Sequence, residues 1–278
     1  MVAESGKGME LAVRLGIFAL VFAALIVAER MRPRWGRGQA RGPRWVTNIA
    51  LLVLGNGAVW LAALALPLLA VAAAADAGRA GFGLFQWLDW PAWAEGLLAV
   101  AILDLVLWAQ HLVMHKVPGL WRLHRVHHAD PDMDVTTALR FHPGEFLFSA
   151  AVKVGAVWLI GPAVWAVVVF EVILSATALF THADIRLPPQ GEALLARVLV
   201  TPAMHRTHHA PERALHDGNY GFALSVWDRL AGTYRAEGRA DGRTGLGWAA
   251  GPERLGWSLA LPFRAARAAE GRTVASRD

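Results

Sequence analysis

The sequence predicts an all-α integral membrane protein: a helical bundle of about four spans or hairpins, with its histidine-rich segments just cytosolic of the spans. Three observations carry this reading. Of the 278 residues, 55% are apolar and only 18% are charged, against ~25% charged in ordinary soluble proteins, and the mean hydropathy is +0.37. The apolar residues gather into long runs of bilayer-spanning length. All eleven histidines lie between His111 and His216. The composition excludes a disordered chain, which has few apolar residues and many charges. The absence of cysteine excludes disulfide scaffolds, thiolate zinc sites, iron–sulfur clusters and cysteine nucleophiles. The net charge of +5 speaks of topology and anionic lipid rather than nucleic acid.

The first apolar run, Leu11 to Ala28, is broken only by Arg14 and approaches the ~20 residues of a transmembrane helix. It ends in charged residues rather than in a small-residue cleavage site, so it reads as an uncleaved span. Residues 30–44 carry six arginines and no acid, which places them in the cytoplasm and the N-terminus outside. The second run, Val46 to Ala75, is long for one span, and Pro67 either kinks it or marks where it turns along the membrane surface. Asp76 to Pro91 reads as an external loop with Trp87 and Trp90 at the interface. Trp93 to Met114 returns the chain to the cytoplasm.

The fourth apolar region, Phe146 to Thr181, is divided by Gly161-Pro162. It reads as two helices in a hairpin, 146–160 and 163–181, with Lys153 snorkelling. The division decides topology, because a hairpin puts the two histidine-rich segments on the same membrane face. Beyond it, Leu187-Pro188-Pro189 is a break, Glu192–Val200 is helical, and Gly218 to Tyr234 is compact and turn-rich. Leu255–Phe263 is expected on the membrane surface, with a loose tail after it. The expected units are 1–45 (first span and basic loop), 46–235 (catalytic domain) and 236–278 (surface segment and tail).

The third span ends in His111-Leu-Val-Met-His115, and His124-Arg-Val-His127-His128 and His205-Arg-Thr-His208-His209 follow. Residues i, i+3 and i+4 share a helix face, so the imidazoles of each motif converge. A lone HxxxH pair is as well explained by an interface; two HxxHH copies together with HxxxH beside span ends are not a packing requirement. Neutral imidazole binds Zn, Cu, Fe and Ni, and eight ligands exceed the need of one ion and suit two. Spacing alone leaves iron, for oxygen chemistry, and zinc, for hydrolysis, both open. His142, His182 and His216 are single. Asp104 lies inside a span, where a charge is functional or serves an interhelical bond, and Glu171 shares that ambiguity. Asp130, Asp132 and Asp134 are read as solvated turn residues or as partners of ligands, Asn219 as a holder of water or substrate or as turn chemistry, and Arg122, Arg125 and Arg206 as a solvated or headgroup-facing surface.

The combination of Asp104-x3-Trp108-x2-His111-x3-His115, Leu120-Trp121-x2-His124-x2-His127-His128 and His205-x2-His208-His209 resembles the histidine boxes of the fatty acid hydroxylase/sterol desaturase superfamily. Asp134-Val-Thr-Thr-Ala-Leu-Arg-Phe-His142-Pro-x-Glu145, Thr181-His182, Asn219-Tyr220-Gly221 and Trp227-Asp228-Arg-Leu-x-Gly-Thr-Tyr234 add to the resemblance, which covers roughly residues 95–235. The chain departs from the pattern where Leu112 follows His111 in place of a common arginine, and where Trp108 stands for a frequent tyrosine; both bear on substrate fit rather than on ligands.

The resemblance implies a membrane non-haem di-iron oxygenase with two Fe ions, its helical bundle topped by a cytosolic helical cap that holds the metals. His111, His115, His124, His127, His128, His205, His208 and His209 match the boxes, and His182 matches an additional ligand. His142, His216, Asp104 and Asn219 are further or supporting candidates. The implied reaction is O2-dependent hydroxylation of an unactivated C–H bond in a lipid-like substrate, with desaturation as the alternative within the family. A zinc hydrolase or transporter is the alternative outside it, though a transporter places its ligands near the bilayer midplane. No dinucleotide fingerprint, haem-attachment motif or fused ferredoxin pattern is found, so electrons are expected from a separate ferredoxin, cytochrome or reductase.

Overall fold

The computed structural model describes residues 2–35, 41–67, 69–236, 242–248 and 250–265. These residues are helical throughout, with two isolated β-bridges, Pro33 with Ile185 and Leu199 with Leu224, and no strand among them. In chain order the helices are α1 (Val2–Met31), α2 (Arg41–Ala63), α3 (Ala70–Ala80), α4 (Ala92–Lys116), α5 (Pro118–His128), α6 (Pro143–Ile160), α7 (Val164–His182), α8 (Pro189–Leu195), α9 (Pro202–His208), α10 (Arg213–His216), α11 (Val226–Leu230) and α12 (Leu255–Ala260). Five segments are long and apolar enough to cross a bilayer: Leu11–Met31 of α1, and α2, α4, α6 and α7.

The long second run resolves into two helices. The chain leaves helical geometry before Pro67 and resumes at Ala70. In α3 the residues Ala70, Ala73, Ala74 and Ala77 are buried, an i, i+3, i+4, i+7 stripe. These small side chains let α3 pack against α6 and α7, where Leu103, Val157, Val167 and Phe170 complete the core.

The α6–α7 hairpin forms where the sequence divides it. Gly161 ends α6 in a left-handed conformation (φ +61°), and a Cβ there would lie 2.5 Å from the Phe82 carbonyl oxygen. Glycine is therefore required twice over, by backbone angle and by the close approach of the 82–83 segment. Because α6 and α7 run antiparallel, the C-terminal ends of α4 and α7 and the N-terminal end of α6 meet at one end of the bundle. The buried stripe of α4 runs through Gly96, Ala99, Leu103, Leu107 and Gln110 to His111, Met114 and His115. An apolar packing face thus turns into a ligand face without leaving the helix.

Beneath that end lies a buried polar layer. Arg44 of α2 is fully buried and pairs with Asp130 (2.8 Å) and with Asp134. Asn48 donates to Asp130 (3.1 Å) and to the Thr136 hydroxyl (3.0 Å). Asp134 caps the 3-10 turn Val135–Leu139, accepting from the Thr136 amide at 2.8 Å while Thr137 reaches back to the Asp134 amide at 3.0 Å. Asp130 and Asp134 are therefore buried rather than solvated, and they fix the 130–140 loop. Burial would raise the Asp130 carboxyl, but Arg44 and Arg140 dominate and hold it at about 2.

One further expectation changes. The helix expected over 192–200 runs instead over Pro189–Leu195, beginning with proline in its first turn and giving way to the Leu199–Leu224 bridge. The segment around α12 lies on the protein: Trp257 and Leu261 pack with Leu51, Val126 and Ala129, while Phe263 stays exposed.

Candidate metal centre

Nine of the eleven histidines converge in two adjacent groups. His111, His115, His124, His128 and His208 form one, and His127, His182, His205 and His209 the other; within each, one nitrogen per residue lies within 4.8 Å of all the rest. All nine are buried. The groups abut where the His128 and His209 rings stack with centroids 4.5 Å apart. Each HxxHH motif is split between them, contrary to the expectation that its three imidazoles converge on one point. His124 and His128, four residues apart, face the first group, and His127 turns to the second; His208 joins the first, and His205 and His209 the second.

The outer hydrogen bonds fix the tautomers. His111 Nδ1 meets the Tyr220 carbonyl at 2.8 Å, His208 Nδ1 the Gly218 carbonyl at 2.7 Å, His127 Nδ1 the Arg140 carbonyl at 3.2 Å, and His182 Nδ1 the Ala178 carbonyl at 2.6 Å. A carbonyl only accepts, so each Nδ1 carries the proton and each Nε2 presents a bare lone pair. Glu145 Oε1 lies 2.7 Å from His124 Nδ1 and gives His124 the same tautomer when the carboxyl is ionised.

These bare nitrogens then face one another. His111 Nε2 lies 2.9 Å from His124 Nε2 and 3.0 Å from His208 Nε2. His182 Nε2 lies 3.1 Å from His127 Nε2 and 3.0 Å from His205 Nε2. His205 Nδ1 has no partner, so a neutral His205 can donate from Nε2 to His182; extra protons do not relieve the remaining contacts, because burial drives the imidazoles toward neutrality. His124 falls to about 3, and His127, His128, His205, His208 and His209 lie well below the ordinary imidazole value, pushed further by one another. Both ring nitrogens of His115, His128 and His209 are buried without a hydrogen-bond partner. Converging lone pairs with no thiolate are a donor set that suits metal ions bound through nitrogen.

The remaining candidates fall outside both groups. His142 caps α6, accepting from the Gly144 amide at 3.0 Å. His216 is buried beside Trp121, with ring planes 16° apart, and bonds the Ala210 carbonyl at 3.1 Å. Asp104 accepts from the amides of Ala223 (3.2 Å) and Leu224 (3.1 Å) and from the Trp227 indole (2.8 Å). Asn219 sits at φ +55°, donates to the Met204 and Arg235 carbonyls, and accepts from the Arg235 amide. Its side chain is occupied by backbone, as turn chemistry requires. Together with Asp228, which accepts from the Tyr220 and Gly221 amides at 2.9 and 2.8 Å, it places the Tyr220 carbonyl under His111.

Arg125 is buried and Arg206 is largely covered, neither being a freely solvated charge. Arg125 donates to the Leu261 and Arg264 carbonyls, both at 2.6 Å, and Arg206 to the Gly242 and Met133 carbonyls at 2.9 and 2.8 Å. Motif spacing does not single out Glu145 or Arg140, which supply the acceptors for His124 and His127. Glu145 does carry a signal in the sequence, as an acid in the first turn of a span beside His142-Pro143; the Arg140 carbonyl carries none, because any residue offers one.

Residues 96–233 match the fatty acid hydroxylase family model. The chain is 30% identical over 223 residues to ornithine lipid hydroxylase OlsE of Rhizobium tropici, covering 78% of this chain and 66% of that protein. It is 31% identical over 145 residues to alkylglycerol monooxygenase of Homo sapiens (52% of this chain, 31% of that one). It is 33% identical over 127 residues to the Xenopus tropicalis protein of the same name (46% and 27%). No solved structure shows a significant match. The chain thus spans between 27% and 66% of the length of these relatives. It belongs to the fatty acid hydroxylase/sterol desaturase superfamily, whose domain carries both histidine groups.

Proposed function

We propose that this protein is a multi-pass membrane oxygenase that hydroxylates the hydrocarbon portion of a membrane lipid. The observation that carries the reading is the pair of buried histidine groups with converging lone pairs at the ends of apolar helices. The first five histidines hold one ion and the other four hold the second, and the ions are iron. Iron bound there supplies O2 activation and cleavage of an unactivated C–H bond. The net change is one C–H bond, O2, two electrons and two protons giving C–OH and water. The electrons come from a separate ferredoxin, cytochrome or reductase.

The chain's own residues orient and shield. The carbonyls of Tyr220, Gly218, Arg140 and Ala178 and the Glu145 carboxylate lock the imidazoles. Phe141 stacks on His127 at 4.2 Å and Phe222 lies 5.1 Å from His111, so apolar walls flank the nitrogens. Such walls suit a hydrocarbon chain and exclude bulk water. The lipid class is supported by the names of the two kinds of relative, one acting on an ornithine lipid and one on alkylglycerols. The arginine-rich 30–44 segment supports a cytoplasmic histidine end, and 46–235 serves as the catalytic unit with 1–45 and 236–278 flanking it.

The test is turnover in liposomes of total membrane lipid with iron, O2 and a reductase system, read by mass spectrometry. A lipid product gaining one oxygen atom, lost in His128→Ala and His208→Ala, is expected. Loss of two hydrogens instead would make the protein a desaturase, and product formation with zinc alone would overturn the reading.

A further inference from the structure

We propose that residues 242–248 and 250–265, which lie beyond the family domain, form a clamp that sets the geometry of the four-histidine group, with Arg140 as the joint through which it acts. This rests on the two-ion reading above. The clamp contacts α5, the 130–140 loop and the α9 segment. The Gly245 amide donates to the His209 carbonyl at 3.1 Å. The Thr244 hydroxyl accepts from the Met133 amide at 3.2 Å, and the Gly242 carbonyl accepts from Arg206, which neighbours His205. Arg140 is fully buried and spends its guanidinium on the Val126 carbonyl (2.8 Å), Asn48 (2.9 Å), the Pro252 carbonyl (2.8 Å) and the Ser258 hydroxyl (2.8 Å). Its own carbonyl faces His127 Nδ1.

The clamp acts unequally on the two groups. The outer partners of the five-histidine group are Tyr220, Gly218 and Glu145, all inside residues 96–233. The four-histidine group is reached twice, at His209 through Gly245 and at His127 through Arg140. Gly245 is the point of closest approach: it sits at φ +82°, and a Cβ there would lie 2.8 Å from Pro131 Cα and 3.0 Å from the Asp130 carbonyl oxygen. Any side chain at 245 must push the clamp off the 130–131 backbone. Arg125 projects from α5 itself and so bears on both groups; Arg140 also holds the Val126 carbonyl of α5, so Gly245, which meets only His209 and the 130–131 backbone, is the more selective probe.

Arg140 and Gly245 are thus positioning residues, and the readout is ion binding rather than turnover. Full-length protein is stripped with chelator in nanodiscs and titrated anaerobically with Fe(II), and bound ions are counted while helicity and thermal melting report folding. Wild type should take up two ions per chain. Gly245→Ala and Arg140→Lys should bind the first as wild type does and the second about 10- to 100-fold more weakly, the usual range for loss of an outer partner. His209→Ala identifies the affected site by weakening the same ion, and Glu145→Ala should weaken the other. Ser258→Ala removes one acceptor from Arg140 without touching backbone, and gives a smaller shift in the same direction should the harsher variants fail to fold. Equal weakening of both ions, or none, with wild type still binding two, overturns the clamp and leaves the proposed function standing. Failure of wild type to bind a second ion overturns both.

Discussion

Replacing Arg44 by methionine tests whether the polar layer under the histidines is held by charge. Arg44 is the cation between Asp130 and Asp134, and all three side chains are essentially inaccessible to water. The pairing has a visible magnitude. Asp130 is held at about 2 rather than 3.8, worth about 2–3 kcal/mol of stability at 1.36 kcal/mol per unit. Burial opposes that shift, so the favourable interaction with Arg44 and Arg140 is larger than the net. Removing one partner of a buried pair strands the other and costs about 3–5 kcal/mol. For a chain of this size that lowers Tm by roughly 10 °C. Thermal melting in detergent measures it, and adding Asp134→Asn to Arg44→Met should restore part of the loss by removing one stranded charge. A shift under about 2 °C in the single variant, or no recovery in the double, would refute the reasoning.

Two other outcomes follow from the site. Burial depresses the His124 imidazole to about 3 from its ordinary 6.5; the unfolded chain therefore takes up protons first as pH falls, and stability of the metal-free protein should be intact above pH 6.5 and decline progressively toward pH 3. Denaturant midpoints across that window check the sign, and a midpoint that rises on acidification would contradict it. Glu145→Gln keeps an acceptor for His124 Nδ1 but loses the charge, whereas Glu145→Ala loses both; ion affinity of the five-histidine group should fall in that order, by up to about 100-fold for alanine, and equal affinities in competition titrations would refute the role.

Much of this arrangement was legible because it follows local rules. Gly161-Pro162 announced the hairpin, and the hairpin placed the two histidine segments together. The His111–His115 spacing on a span end announced two neighbouring imidazoles on one helix face. What escaped was set by tertiary packing. Helical periodicity places His124, His127 and His128 on one face but does not reveal that two groups form on either side of it, so the split of each motif was not visible. Arg125, Arg206, Asp130 and Asp134 look like solvated charges in a polar stretch; Arg125, Asp130 and Asp134 are buried and Arg206 largely covered because distant partners, Arg44 on α2 and carbonyls near residues 242 and 261–264, satisfy them. Pro67 signalled a break but not that an alanine stripe beyond it would form α3. Leu255–Phe263 has the apolar content of a membrane-surface segment, and that content alone does not reveal that Trp257 and Leu261 pack on Leu51 and Val126.

The most direct test of the whole account is metal analysis joined to X-ray absorption on protein purified with iron. Two irons per chain with an all-nitrogen and oxygen ligand shell, one lost in His208→Ala and the other in His205→Ala, is the predicted result. A single ion, or absorption spectra untouched by either substitution, would contradict the claim that these imidazoles gather two irons at the membrane end of the bundle.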